Sequence, residues 1–272
     1  MKEGGHEVAT HEGQKRKALL FDSTLCVGCG ACYEACKEKN GLPRSAVDIL
    51  RDNLSADTYT VVNRRAGRYV RRMCMHCEEP TCASVCPVGA LTKTALGPVT
   101  YDADKCMGCR YCMMACPFQV PRYEWDDSIT PRVRKCDLCA DRVAAGLQTA
   151  CATVCPTGAT KFGDRDALIA EARARLRANP GRYTEHVYGV EEVGGTSVLL
   201  LSDVPFEQLG YRTDLSKEPL PMLTWRVLEK LPKVVSVGGA LMGGIWWITN
   251  RRQEVARAEA AKKGERGKGE AS

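Results

Sequence analysis

Cysteine dominates the chemistry this 272-residue chain can do: sixteen residues in four groups of four, with none left over. The groups are Cys26, Cys29, Cys32, Cys36; Cys74, Cys77, Cys82, Cys86; Cys106, Cys109, Cys112, Cys116; and Cys136, Cys139, Cys151, Cys155. The first and third share the spacing C-x2-C-x2-C-x3-C; the second widens its middle gap to four residues and the fourth to eleven. In three groups proline follows the last cysteine, at Pro87, Pro117 and Pro156. Two-residue gaps curl the backbone so that three sulfurs converge on three corners of an iron–sulfur cube, and nearby amides offset its negative charge. The fourth cysteine faces a neighbouring cube, and proline after it removes an amide hydrogen and fixes the turn. At four thiolates per cube, the set supplies ligands for four [4Fe–4S] clusters.

Two other cysteine chemistries compete. Zinc sites would consume the same thiolates, but zinc knuckles rarely carry a third cysteine two residues on and C-P after the fourth. Disulfides would need an oxidising folding compartment, and close C-x2-C pairs make poor bridges. Iron–sulfur is the reading favoured. No cube lacks a fourth cysteine, and the chain has no dinucleotide loop, phosphate loop or H-E-x-x-H motif. No residue is therefore assigned a catalytic role.

The elements that must hold these cysteines read as α+β. Residues 18–22 form a short strand delivering the first run, and 58–62 alternate like a strand inside an insertion over 37–73. Cys86-Pro87-Val88-Gly89-Ala90 and Cys155-Pro156-Thr157-Gly158-Ala159 share the pattern C-P-x-G-A, and each precedes a strand-like segment. This echo predicts duplicated two-cluster units, nested rather than tandem. Residues 1–17 read as a flexible polar arm, with Lys15–Lys17 as solvated or head-group-facing charge and no secretion signal. The four-cluster domain is placed at 18–163. An extension at 164–230 follows, with a helix over 164–178 that Asp164 can cap and an apolar strand at 197–202.

Charge excludes one class. The formal charge is +6, but each cube with its four thiolates carries 2−, so four cubes bring the loaded chain to about −2. Much of the lysine and arginine then answers charge inside the protein, and nucleic acid is not a partner. With only 6% aromatic residues the clusters must stand in for much of a core, so the metal-free chain is expected to be largely unfolded around its cysteines.

Residues 234–249 carry no charge, and 231–250 contain only Lys233. Twenty helical residues rise about 30 Å, the thickness of a bilayer core. Pro232 suits the first turn, Lys233 can snorkel, and Trp246 and Trp247 sit at the far end before Arg251 and Arg252. A single transmembrane helix at 231–250 is expected, with a basic cytoplasmic tail at 251–272 and Gly239 and Gly243 on a packing face. That orientation puts the cluster domain in the periplasm of a bacterial inner membrane, exported with a partner that carries the signal.

The runs Cys74-Met75-His76-Cys77, Gly108-Cys109-Arg110-Tyr111-Cys112, Cys116-Pro117-Phe118-Gln119-Val120-Pro121-Arg122 and Lys135-Cys136-Asp137-Leu138-Cys139 resemble the four-cluster ferredoxin-type electron-transfer subunits of membrane-bound respiratory oxidoreductases. The resemblance extends over nearly the whole chain, to the beta subunit of periplasmic formate dehydrogenase and to the ferredoxin-type subunit of periplasmic [NiFe] hydrogenase alike. It implies crossed ligand sets: Cys26, Cys29, Cys32 with Cys155; Cys136, Cys139, Cys151 with Cys36; Cys74, Cys77, Cys82 with Cys116; and Cys106, Cys109, Cys112 with Cys86. It also implies a molybdenum or tungsten pterin or [NiFe] catalytic subunit as donor, and a cytochrome b or quinone-reactive membrane subunit as acceptor. A soluble polyferredoxin is the alternative. His76 is read more readily as a surface or partner-facing residue than as one tuning its cube; Arg110 and Tyr111 are read as sulfur donors or as packing.

Overall fold

The computed structural model describes residues 15–45, 47–127, 129 and 131–269, with side chains to Ala260. The arm expected at 1–17 lies outside these residues up to position 14. The chain divides into two units, Met1–Pro221 and Met222–Ser272.

In the first unit, Lys17–Asp22 (β1) is an apolar run, and it is buried on both faces. It pairs antiparallel with a strand at Thr160–Asp164 and parallel with one at Val198–Leu201, so the sheet has β1 at its centre. Alternation sorts the side chains. Leu19 and Phe21, with Val198 and Leu200, pack on the core that holds half of the cysteines. Ala18 and Leu20, with Leu199 and Leu201, pack against Leu168 and Ala172 of the helix Arg165–Ala178.

Between these strands the chain runs through a helix, Ala31–Asn40 (α1), and a hairpin of Val61–Arg65 (β2) and Arg68–Arg72 (β3). The short helix Thr81–Ser84 (α2) leads to a second hairpin, Leu91–Lys93 (β4) and Val99–Tyr101 (β5). Next come Tyr111–Ala115 (α3), the hairpin of Arg122–Tyr123 (β6) and Val133–Arg134 (β7), and the helices Ala140–Ala144 (α4) and Ala150–Thr153 (α5). Thr160–Asp164 is β8, Arg165–Ala178 is α6, and Val198–Leu201 is β9.

Two strand pairs share one job. β1 enters the first cysteine run, β8 leaves the last, and the Asp22 amide donates to the Ala159 carbonyl at 2.8 Å. β4 leaves the second run, β5 enters the third, and the Asp102 amide donates to the Ala90 carbonyl at 2.8 Å. The β4–β5 pair lies within the stretch that β1 and β8 bracket.

Several local expectations change. The strand at 58–62 is displaced: β2 starts at Val61, and Thr58 makes only an isolated bridge with Ser55. Asp164 stands at the start of α6 without a side-chain capping bond; its carboxylate takes the Lys17 ammonium at 2.5 Å instead. Arg16 pairs with the largely buried carboxylate of Glu78, so Arg16 and Lys17 make ion pairs while their side chains stay partly in solvent, as expected for this run.

The second unit takes up most of Leu220–Leu228 (α7) and all of Leu231–Gly269 (α8). One helical stretch, Leu220–Ala260, is long and apolar enough to cross a membrane, and none of its apolar window is buried. α8 does not end where the apolar run does. Asn250 Nδ2 donates to Glu254 at 3.0 Å and Arg251 meets the same carboxylate at 3.3 Å, carrying the helix on through residues of high helix propensity.

Gly189 marks where the β9 layer tolerates no side chain. Its φ is +98°, and a β-carbon would sit 2.3 Å from the Val198 carbonyl oxygen and 2.6 Å from Thr196 Oγ1. Gly189→Ala is expected to cost about 2–3 kcal/mol. In a thermal melt of the cluster-loaded protein, that lowers Tm by roughly 4–10 °C.

Candidate metal centres

Each cysteine run folds into a similar loop. The residue two places after its first cysteine is left-handed in all four: Gly28 at φ 70°, His76 at 49°, Gly108 at 76° and Leu138 at 57°. The residue three places after the last cysteine is left-handed in the three C-P turns, at Gly89, Gln119 and Gly158. Glycine reaches this conformation without strain, whereas His76, Leu138 and Gln119 are held in it at a cost, which points to a site that dictates the backbone.

The loops bring sulfurs together across the sequence. Cys26, Cys29, Cys32 and Cys155 line one small cavity, with Gly28, Gly30 and Pro156. Cys106, Cys109, Cys112 and Cys86 line a second. Burial, then Cys151, pushes the Cys36 thiol up to about 12, with Cys139 also contributing; Cys136 is raised by burial and then by Cys36. Burial, then Cys74, Cys116 and Cys82, raises Cys77 well above the thiol range. Each convergence joins three cysteines of one run to the last cysteine of another.

The convergences also lie within electrostatic range of one another in series. Cys32 feels Cys151, Cys136 feels Cys74, and Cys82 feels Cys112. These couplings link the Cys26 set to the Cys136 set, that set to the Cys74 set, and the Cys74 set to the Cys106 set.

The donor chemistry fits iron–sulfur cubes. Clustered thiols that raise one another's pKa are poorly placed to ionise alone and well placed around a cationic iron core. Backbone amides point at the sulfurs: Ala90 N–H at Cys86 (3.2 Å), Thr160 N–H at Cys155 (3.3 Å) and Leu138 N–H at Cys136 (3.4 Å). At Cys86, burial pushes the thiol up, but the amides of Leu91, Val88, Ala90 and Gly89 outweigh it and hold it below its usual value. Burial is likewise outweighed at Cys155 by the Thr160 amide and the Thr157 hydroxyl. The two C-P-x-G-A turns thus share an electrostatic role as well as a sequence.

His76 overturns its surface reading. It is 1% exposed, and its Nδ1 accepts the Val99 amide at 2.8 Å. Burial, then Lys135 and Lys93, hold its pKa well below the usual range, so the ring is neutral and Nε2 carries the hydrogen. That Nε2 is buried beside the second cysteine run with no protein partner. Ser23 Oγ, three residues before Cys26, is another such orphan. Buried donors left over next to cysteine loops suit an inorganic acceptor. Arg110 packs instead over the rings of Tyr123 (4.9 Å) and Trp125 (4.5 Å), while Tyr111 is exposed.

Three buried cations were not legible individually. Lys37 donates to the carbonyls of Pro43 (2.7 Å) and Asp57 (2.8 Å) and to Thr58 Oγ1. Lys135 donates to the carbonyls of Val99 and Cys136. Arg71 donates to the hydroxyls of Thr60 and Thr160. Among the described residues none of the three is in an ion pair with a carboxylate, although each is nearly fully buried. Only the general sense that basic residues answer internal charge was readable in advance.

Comparison with known proteins agrees with this chemistry. Two models described as "4Fe-4S dicluster domain" match, over residues 66–165 and 25–90, and together they take in all four cysteine runs. The chain belongs to the 4Fe-4S dicluster iron–sulfur proteins. Among its relatives, the Hydrogenase-2 operon protein HybA of Escherichia coli O157:H7 is 38% identical over 234 residues, 70% of this chain and 71% of that one. A formate dehydrogenase iron-sulfur subunit of Haemophilus influenzae is 36% identical over 252 residues, 84% of this chain and 78% of that one. A Nitratidesulfovibrio vulgaris protein is 42% identical over 258 residues, 89% of this chain and 69% of that one.

Stripping the iron leaves crowded thiols and buried cations with nothing between them. Anaerobic chelation is expected to remove most tertiary order in the first unit, read as loss of near-UV circular dichroism and a broadened thermal transition. A sharp, unshifted melt after iron removal would contradict this.

Proposed function

We propose that the chain is a non-catalytic electron-transfer subunit holding four [4Fe–4S] clusters. The ligand sets are Cys26, Cys29, Cys32, Cys155; Cys36, Cys136, Cys139, Cys151; Cys74, Cys77, Cys82, Cys116; and Cys86, Cys106, Cys109, Cys112. The observation that carries the reading is the convergence of each set, three cysteines from one run and the last of another. The bracketing of β4–β5 by β1 and β8 supports two nested two-cluster units.

Bound cubes supply one-electron carriers, and the protein's work is to position and insulate them. The C-P-x-G-A amides stabilise thiolate charge at Cys86 and Cys155. β1 and β8 hold the first and last runs in register, while β4 and β5 do the same for the inner runs. The serial couplings between sets favour a linear path, entered at one end and left at the other.

The relatives' names favour a catalytic partner of the formate dehydrogenase or hydrogenase type. We place the cluster domain in the periplasm and α8 across the inner membrane, its basic C-terminal end cytoplasmic, with the chain exported alongside a partner that carries the signal. Electrons pass from the catalytic subunit to a membrane cytochrome b or quinone-reducing subunit. The carboxy-terminal apolar helix favours this arrangement over a free polyferredoxin.

The ligand sets make a pairwise prediction. Cys26→Ser and Cys155→Ser are expected to alter the same electron paramagnetic resonance signal although 129 positions separate them in the chain; Cys106→Ser and Cys86→Ser are expected to alter a different one. Signals that follow the runs instead of the crossed sets would sink the assignment. Metal analysis of the complex pulled from native membranes by this subunit identifies the partner: molybdenum or tungsten for a pterin enzyme, nickel for a hydrogenase.

A further inference from the structure

Arg71 turns inward from β3, one residue before its end, and is 3% exposed. Its Nε donates to Thr60 Oγ1 and its Nη1 to Thr160 Oγ1, each at 3.1 Å. Its own carbonyl accepts from the Tyr211 hydroxyl at 2.5 Å, which helps fix the strand that carries it. Both side-chain acceptors are neutral. The groups around the guanidinium able to bear negative charge include the sulfurs of Cys151, Cys32 and Cys136, and Cys36 feels the same cation.

Those sulfurs belong to two different sets. Cys32 lies in the first, and Cys136 and Cys151 lie in the second. Thr160 adds a direct link, because its amide donates to Cys155 Sγ at 3.3 Å while its hydroxyl receives Arg71. Val62, paired with Arg71 across the hairpin, lines the first cavity with Thr160. A guanidinium keeps its proton under all working conditions, and a buried one needs opposing charge. Here that charge is supplied by the two ligand sets whose sulfurs it feels.

We propose that Arg71 is a positioning residue for charge, shared by the two outer cubes, that holds both of their reduction potentials up together. The inference rests on the four-cube reading given above. Adding an electron makes a cube more negative, and a fixed cation beside it favours that reduced state. In reach of both cubes, the same charge also softens the repulsion between electrons on neighbouring sites. A simpler role is a mechanical tie from the hairpin to β8 through Thr160. That role predicts no particular change in potential.

The test is a potentiometric titration of the purified membrane complex followed by electron paramagnetic resonance, with the first outer signal assigned through Cys155→Ser and the second through Cys36→Ser. Arg71→Gln removes the charge but keeps a donor; Arg71→Lys keeps the charge. Arg71→Gln is expected to shift the reduction equilibrium of both outer cubes at least tenfold toward oxidation, a fall of about 59 mV for one electron. The inner pair should move much less, and Arg71→Lys should restore most of the shift. Unmoved outer potentials in Arg71→Gln, or an equal shift at all four cubes, overturn the proposal. So does loss of the outer clusters in both variants, which makes Arg71 a mechanical tie. Outer-pair signals missing from the unsubstituted complex would instead overturn the four-cube reading, and this inference with it.

Discussion

Opposite charges that cannot reach water govern this structure. The first unit gathers thiols whose burial and mutual repulsion oppose ionisation, with Arg71 and Lys135 in electrostatic reach of their sulfurs and, among the described residues, paired with no carboxylate. Each half is unstable alone: a buried cation without opposing charge costs several kcal/mol, and so does a cluster of thiolates. An iron–sulfur cube with four thiolates carries net negative charge and reconciles them. Metal, thiolate and buried cation then form one electrostatic unit, and folding and cluster loading become a single event.

The secondary structure is sparse because it has little else to do. Among the described residues β1 is the longest strand and is buried on both faces, and it stitches the ends of the cysteine-bearing region through β8 and β9. The inner hairpin β4–β5 repeats the joint made by β1 and β8, down to the amide that donates to an alanine carbonyl in a C-P-x-G-A turn. Glu78 ties the same region together, taking Arg16, Lys93, Arg165 and Ser197 around one buried carboxylate. Burial raises its pKa, but Lys93 and Arg165 outweigh that and keep it below the ordinary value. It contributes stability above the carboxylate's unfolded pKa that is lost as pH falls through the lowered folded one.

What was legible in the sequence was what chemistry makes rigid. Cysteine spacing announced the 4Fe-4S chemistry, the C-P-x-G-A echo announced a duplicated turn, short apolar runs located β1 and β9, and a period of 3.6 located α6. Backbone conformation was legible only where glycine marked it. Gly28 and Gly108 signal the left-handed position, whereas His76 and Leu138 occupy the equivalent place with no such sign. Charged residues were the least readable. A lysine or arginine ordinarily means surface, and nothing local tells Arg71 from its exposed neighbours until the fold brings Thr60, Thr160 and three cysteines around it. The extent of α8 was missed for a different reason: the apolar run ends at Thr249, but helix propensity does not.

The central claim is that sixteen thiolates hold four cubes, whose charge the protein interior is built to balance. Mössbauer spectroscopy of the 57Fe-enriched complex, combined with protein quantitation and the iron known for the partner subunits, tests it most directly. About sixteen irons attributable to this chain are expected, all with the signature of [4Fe–4S] cubes. About half that iron, or zinc in its place with the fold intact, would contradict it.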